Sequence, residues 1–192
     1  MRKLFLSLAL FAATIAATAQ ETTKSYEIKS GIVRIKTSVM GQTVESTTYF
    51  DNYGAVSASK SKTAVPGAGE IEVSTITKDG KTYVVIPSMK QVQESPVNLD
   101  ESINYLQLTD EVMEKFNIKE LDTETVCGKE CKKYSEVITQ QGQKVNATVW
   151  VWKGFPMKSV ISAAGIEITT EVVEFTENAF ILPQTFEIPS FD

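Results

Sequence analysis

The fold is decided by residues 41–80, which read GQTVESTTYFDNYGAVSASKSKTAVPGAGEIEVSTITKDG. Gly41, Gly54, Gly67 and Gly80 divide this stretch into units of thirteen residues. Each glycine ends a run rich in Val, Thr, Tyr, Phe or Ile, and glycine adopts the positive φ angles of tight turns without steric cost. Short strands with turn signals at this spacing are typical of an antiparallel meander.

The same rhythm returns at Gly128, Gly142, Gly154 and Gly165, so its one long interruption lies between residues 80 and 128. We therefore predict a mainly β fold with inserted α structure. About ten strands form an antiparallel up-and-down meander that curves into an incomplete barrel. A helical insertion at about 88–119 places one or two helices over the concave face.

The insertion carries the signature of one short amphipathic helix. Residues 109–111 are Thr-Asp-Glu, a hydroxyl cap followed by acids that favour the positive end of a helix dipole. Val112, Met113 and Phe116 then form one apolar stripe. We expect this stripe to pack onto the sheet.

Several strands have irregular patterns. The apolar alternation slips by one residue near Gly31 and again within 166–175, and each slip predicts a β-bulge. Residues 55–63 are small and rich in lysine, which favours an edge strand or a mobile hairpin. The strand at 145–152 is apolar on both faces at its end, so we expect both faces to be covered there.

The chain begins with the pattern of an export signal. A basic start and a short apolar run lead to Ala17-Thr18-Ala19, a cleavage site of the small-x-small type. We predict removal of residues 1–19, a single domain at 20–192, and the periplasm of a Gram-negative bacterium as its location. The apolar run is too short for a comfortable membrane span, so no stable membrane insertion is expected.

Charge argues against nucleic acid as a partner. Cleavage removes two of 19 basic residues, and the remaining 17 stand against 24 acidic ones, a net charge of −7. Duplex binding needs clustered positive charge, and Arg34 is the only arginine of the mature chain.

The sequence contains no histidine. This excludes Ser-His-Asp and Cys-His catalytic arrangements and the ordinary zinc sites. We therefore predict a protein that is not an enzyme and that has no catalytic residues, metal or cofactor.

Cys127 and Cys131 flank a predicted hairpin turn, Gly128-Lys129-Glu130. Residues that face each other across a turn can meet disulfide geometry, and an exported protein folds under oxidising conditions. We expect a disulfide, and the alternative is a pair of free thiols.

The densest aromatic cluster contains Trp150 and Trp152. With Val112, Met113 and Phe116 from the helix, these residues could line an apolar ligand groove. The alternative is ordinary core packing beneath the helix, because most large apolar side chains are simply buried.

The order of motifs along the mature chain resembles a known family. SYEIKSGIVRIKT, TTYFDNYGA and DGKTYVVIP precede the insertion, and VCGKECKKYS, VWVWKGFPMKS and LPQTFEIP follow it. This order resembles uncharacterised periplasmic proteins of Bacteroidetes-type bacteria, which are similar to the outer-membrane lipoprotein carrier (LolA-like) superfamily. The resemblance implies an incomplete curved barrel whose concave face holds acyl chains beneath helices. The carriers hold the helical lid with an arginine, and no functional residue of the family is carried over to this chain.

Two functions follow as hypotheses. In the first, the protein binds a lipid, an acyl chain or a lipoprotein anchor between the curved sheet and the helix. In the second, the helix fills the groove, and the protein is an interaction or structural module of the envelope. The sequence does not indicate the oligomeric state.

Overall fold

The computed structural model describes residues 24–65, 69–98, 102–140, 143–163 and 165–191, so the predicted export signal lies outside the described residues. Eleven strands and one α-helix form in this part of the chain. The strands are β1 Gly31–Val39, β2 Gln42–Asp51, β3 Val56–Val65, β4 Gly69–Lys78, β5 Lys81–Ile86, β6 Gln91–Pro96, β7 Lys119–Val126, β8 Lys129–Gln140, β9 Gln143–Trp152, β10 Phe155–Ala163 and β11 Ile166–Glu177. The helix, α1, is Asp110–Lys115.

All eleven strands belong to one antiparallel sheet in the order β6-β5-β4-β3-β2-β1-β11-β10-β9-β8-β7. The chain builds outward from β1 to β6, then starts again at the opposite edge with β7 and returns to pair β11 with β1. The sheet is not closed, so the predicted curved, incomplete barrel is confirmed. We call its two ends the Gly31 end and the Val39 end, after the first and last residues of β1.

Strand β6, which raises the number of strands above the predicted ten, lies inside the segment predicted as the helical insertion. Its sequence, QVQESP, contains one large apolar residue, and all six positions are exposed. An edge strand without a buried face has no apolar alternation, and therefore its sequence carries no strand signal. The connection between sheet edges is accordingly 97–118.

Two-residue turns form at four of the predicted glycines, whereas Gly67 and Gly142 lie outside the described residues. Gly41, Gly80, Gly128 and Gly154 are each the second residue of a two-residue hairpin turn, with φ between 72° and 81°. The preceding residue of each turn also has φ near 50°. Two consecutive positive φ angles give the turn geometry that matches the twist of antiparallel strands.

The turn between β7 and β8 corrects the predicted disulfide. Cys127 and Gly128 form the turn, Val126 pairs with Lys129, and Cys131 therefore faces Glu124 rather than Cys127. Cys127 is exposed, Cys131 is buried in the core, and both are free thiols. The prediction was wrong because it assumed a three-residue turn.

The two predicted bulges have different outcomes. Near Gly31 the slip is not a bulge. Residues 24–30 form no strand, so the change of phase marks the start of β1. Tyr26 and Ile28 are buried although they precede the strand. In β11 the slip is a true bulge: Arg34 pairs with Glu174 but Ile35 pairs with Val172. This leaves one extra residue in β11, as predicted.

Three groups of buried side chains form around the sheet. The helix core lies between α1 and the sheet face that we call the inner face; its buried members are Val39, Phe116, Ile118, Tyr134, Ala147, Val149, Val151, Ile161 and Ile168. The aromatic core contains Tyr26, Ile28, Val33, Ile35, Phe50, Val126, Cys131, Trp150, Phe155, Met157 and Val172. The tail core joins residues 179–191 to the outer face of β1–β5 through Ala58, Ile76, Val85, Ile181 and Phe186.

Among the described residues, no helix has the length and apolar character needed to span a membrane.

Candidate functional site

The inner face of β8–β11 is mostly apolar. Strand register places Val39, Ile168, Ile161 and Ala147 in one continuous row across four strands. We call this part of the inner face the apolar half; its residues are Tyr134, Ile138, Ala147, Val149, Val151, Ile161 and Ile168. It is the part that α1 covers.

Helix α1 is short but well defined at both ends. Thr109 caps it by accepting a hydrogen bond from the backbone N–H of Val112, with a distance of 3.3 Å. At its other end, the backbone N–H of Val137 in β8 donates to the carbonyl of Phe116, at 2.7 Å. Phe116 is 7% exposed, whereas Val112 and Met113 are only half-buried. The predicted stripe therefore packs on the sheet, with Phe116 as its anchor.

A buried carboxylate lies beneath the connection that carries α1. Glu136 is 5% exposed and points to the inner face, opposite Ala147. The hydroxyl of Tyr105 donates to this carboxylate and lies 2.9 Å from Oε2. Burial raises the pKa of Glu136 to about 7, and the hydrogen bond from Tyr105 partly opposes that shift. The contact ties the connection to β8.

The inner face of β2–β5 has a different composition. Ser46, Ser61 and Val73 form one row across three strands, and Thr48, Ser59 and Thr75 form the next. We call these hydroxyl residues the hydroxyl half; they are Ser46, Thr48, Ser57, Ser59, Ser61, Thr75, Thr77 and Thr82. Most are buried, although none belongs to an apolar core.

Charged side chains of β1–β5 all lie on the outer face. By strand alternation these are Arg34, Lys36, Glu45, Asp51, Lys60, Lys62, Glu70, Glu72, Lys78 and Lys81. This corrects the prediction for residues 55–63, because β3 is an interior strand between β2 and β4. Its lysines are exposed on one face, while its serines point inward.

The two tryptophans lie on the other side of β9. Val149 and Val151 belong to the helix core, so the alternating Trp150 and Trp152 enter the aromatic core instead. A bulge between Pro156 and Lys158 in the neighbouring strand accompanies this change. Both faces at the end of β9 are thus covered, as predicted, but by two different cores.

Each tryptophan ring lies between two lysines. Lys133 and Lys158 are 4.8 and 5.0 Å from the ring centre of Trp150, whose indole N–H donates to Glu124 at 2.8 Å. Lys129 and Lys153 flank Trp152 in the same way, at 4.4 and 4.6 Å. These cation–π contacts occupy the ring faces.

The Gly31 end is crossed by the segment 24–30. The backbone N–H of Glu27 donates to the carbonyl of Lys153, and the ring of Tyr26 packs 4.9 Å from that of Phe155. Gly154 has φ +81°, and a Cβ there would lie 2.6 Å from the carbonyl oxygen of Ser25. Only glycine fits this approach without strain.

Arg34 forms its ion pairs with residues of the sheet. It lies on the outer face, where its guanidinium is 3.0 Å from Glu174 and 3.8 Å from Glu45.

The five residues predicted to line one groove fall in two places. Val112, Met113 and Phe116 meet in the helix core, and Trp150 and Trp152 lie in the aromatic core. Sequence reasoning missed Glu136, Tyr105 and Ser46. The signal for Glu136 was available, because it alternates with Tyr134 and Ile138 along β8.

Several proteins of known structure share this fold. No protein-family model matches, and no curated protein matches. An uncharacterised conserved protein from Thermus thermophilus is similar in structure, with 12% identity, a TM-score of 0.57 and coverage of 85% of this chain and 87% of that one. The MucA/MucB complex of Pseudomonas aeruginosa is matched with 12% identity and a TM-score of 0.54 over 86% of this chain. That match covers 57% of the other chain, so this protein spans little more than half its length.

A weaker similarity links the chain to a putative outer membrane lipoprotein-sorting protein domain from Vibrio parahaemolyticus, with 11% identity, a TM-score of 0.40 and coverage of 82% and 89%. At these identities the first two similarities show a shared fold and nothing finer. A lipoprotein-sorting domain is thus among the structural neighbours. Membership of the lipoprotein carrier superfamily, and of a Bacteroidetes family, stays a prediction.

Proposed function

We propose that this protein is a non-enzymatic periplasmic binding protein whose ligand is a lipid, an acyl chain or a lipoprotein anchor. The ligand lies on the inner face of the sheet, between the apolar half and α1. The observation that carries the proposal is the construction of the cover: a six-residue helix lies over an apolar sheet face, and two of its three stripe residues are only half-buried.

The cover is held to the sheet by side-chain packing and by single hydrogen bonds. Phe116 and Ile118 are buried, and the connection also contacts β8 directly. Tyr105 donates to Glu136 and stacks on Tyr134, and the backbone N–H of Val137 donates to the carbonyl of Phe116. A six-residue helix has little stability of its own and depends on packing. Displacing α1 would expose the apolar half, and an acyl chain gains roughly 0.8 kcal/mol for each methylene that it buries there.

The experiment is a titration of delipidated mature protein with oleate and with a phosphatidylethanolamine, with the melting temperature as the measurement. Ligand that binds only the folded state raises the melting temperature saturably. Met113→Gln should weaken the effect, because Met113 lies on the helix stripe. Leu182→Gln, in the exposed tail, is the matched control. Failure of every lipid to raise the melting temperature would overturn the proposal.

A second function has one specific observation in its favour. Phe116 and Ile118 already occupy part of the inner face, so the groove could be filled by the protein itself. The fold is shared with MucB, which is known in a complex with MucA. An interaction module would show no lipid response, and hydrogen exchange in 102–118 would be the same with and without lipid.

A further inference from the structure

We propose that the hydroxyl half of the inner face binds the uncharged, hydroxyl-bearing head group of an amphiphile whose acyl chain lies on the apolar half. This inference rests on the proposed function, because it names the class of lipid that the inner face takes. It is carried by an unpartnered buried hydroxyl, by the donors and acceptors around it, and by the distribution of charge.

Ser46 supplies the unpartnered group. Its side chain is 5% exposed, and its Oγ has no hydrogen-bond partner within the described part of the protein. Strand register places it on the inner face between Ile35 of β1 and Ser61 of β3. Buried hydroxyls are normally satisfied, so an inward-pointing one without a partner marks a position where a ligand atom completes the bond.

The hydroxyls around Ser46 are only partly used. Thr48 donates to the Oγ of Ser59 at 3.2 Å, and Ser61 donates to the carbonyl of Val73 at 3.5 Å. Each hydroxyl has one donor and two lone pairs, so acceptor positions remain after these bonds. A ligand hydroxyl can accept from Ser46 and donate to its neighbours, which a purely accepting or apolar group cannot do.

The distribution of charge excludes an ionic head group. In the described part of the chain, the inner face of β1–β5 carries no charged residue, because all those of these strands point outward. The buried carboxylate of the inner face, Glu136, lies on β8 in the apolar half and already accepts from Tyr105. A carboxylate or phosphate placed in the hydroxyl half would be buried without a cation, which is costly. A glycerol or sugar head is the chemistry that fits.

The test compares three probes that share one oleoyl chain: 1-monooleoylglycerol, methyl oleate and sodium oleate at pH 8. Dissociation constants are measured for delipidated mature protein. We expect 1-monooleoylglycerol to bind about tenfold more tightly than either of the others, because it alone offers uncharged hydroxyls.

Ser46→Ala isolates the contribution of the unpartnered group. It should weaken 1-monooleoylglycerol binding about fivefold and leave methyl oleate binding unchanged. Ser74→Ala removes a buried serine from the opposite face of β4 and should change neither. Because Ser46 makes no internal hydrogen bond within the described residues, its replacement should leave the fold intact.

The outcomes separate the two proposals. Equal affinity for the three probes, tighter binding of oleate, or an unchanged Ser46→Ala variant would overturn the head-group assignment while leaving lipid binding in place. Absence of binding by all three probes would overturn lipid binding as well.

Discussion

The apolar half and the hydroxyl half of the inner face belong to one sheet but are filled in different ways. On β8–β11 most of the buried inward side chains are apolar, and α1 covers them. On β2–β5 many of them are serines and threonines, most of these buried and bonded to one another or to the backbone, beside the apolar Phe50, Val73 and Ile86. Buried apolar area stabilises a fold far more than a buried hydroxyl pair does. We therefore expect the stability of the domain to be concentrated in the apolar half.

The largest expected effect is at the anchor of α1. Phe116→Ala should lower the free energy of unfolding by about 3–5 kcal/mol, because it leaves a cavity in the helix core. Chemical denaturation measures the change. Phe180→Ala, at an 86% exposed position, is the control and should stay within about 0.5 kcal/mol of wild type. A similarly small loss for Phe116→Ala would mean that α1 does not cover the apolar half.

The next effect concerns the buried carboxyl of the apolar half. The pKa of Glu136 is about 7 in the folded protein against an ordinary value of 4.5, so the folded state holds its proton more tightly than the unfolded state does. The resulting stability is fully present below pH 4.5 and is lost as the pH rises through 7. The loss is about 3 kcal/mol in total.

Denaturation between pH 4.5 and pH 8 tests this dependence, and Glu136→Gln should flatten it. Tyr105→Phe gives a second check. Its hydroxyl lowers the pKa of Glu136, so its removal should move the midpoint to higher pH. An unchanged slope in Glu136→Gln would show that another group is responsible.

In the hydroxyl half the effects should be smaller. Thr48→Val keeps the shape of the side chain but removes the hydroxyl that donates to Ser59. We expect a loss of about 1 kcal/mol by chemical denaturation, the usual net value of one such bond. A loss as large as that of Phe116→Ala would contradict the difference between the halves.

The smallest effect is expected at Ser46. Because its hydroxyl has no partner within the described residues, Ser46→Ala should leave the free energy of unfolding within about 0.5 kcal/mol of wild type, or raise it slightly. A loss above about 1 kcal/mol would show that this hydroxyl is already satisfied.

Much of the fold could be predicted because it depends on local chemistry. A two-residue turn needs positive φ at both positions, and glycine marks the second of them at Gly41, Gly80, Gly128 and Gly154. The capped start of α1 is local in the same way. Strand β6 was not predicted, because none of its residues is buried and its position depends on pairing with β5 alone.

The site was harder to predict because it depends on which faces meet. Trp150 and Val149 are adjacent in sequence, yet they enter different cores. The pattern Ser57-x-Ser59-x-Ser61 is visible in the sequence, but its interpretation as an edge strand overlooked that small hydroxyls can line a buried face. The predicted disulfide assumed a three-residue turn between the cysteines. The turn has two residues, so Cys127 and Cys131 do not face each other.

The strand order also implies an order of events during folding. Every neighbouring pair but one joins strands that follow each other in the chain, and the exception is β1 with β11, where Gly31 pairs with Glu177 across 146 positions (177 − 31). Closing a loop of that length costs about 2 kcal/mol more than closing a ten-residue hairpin. The segments β1–β6 and β7–β11 can each form from local contacts. The pairing of β1 with β11, which we call the seam, should therefore form last. Substitutions that remove contacts made only across the seam, between β1 and β11, should then slow folding less than substitutions that remove contacts within either meander.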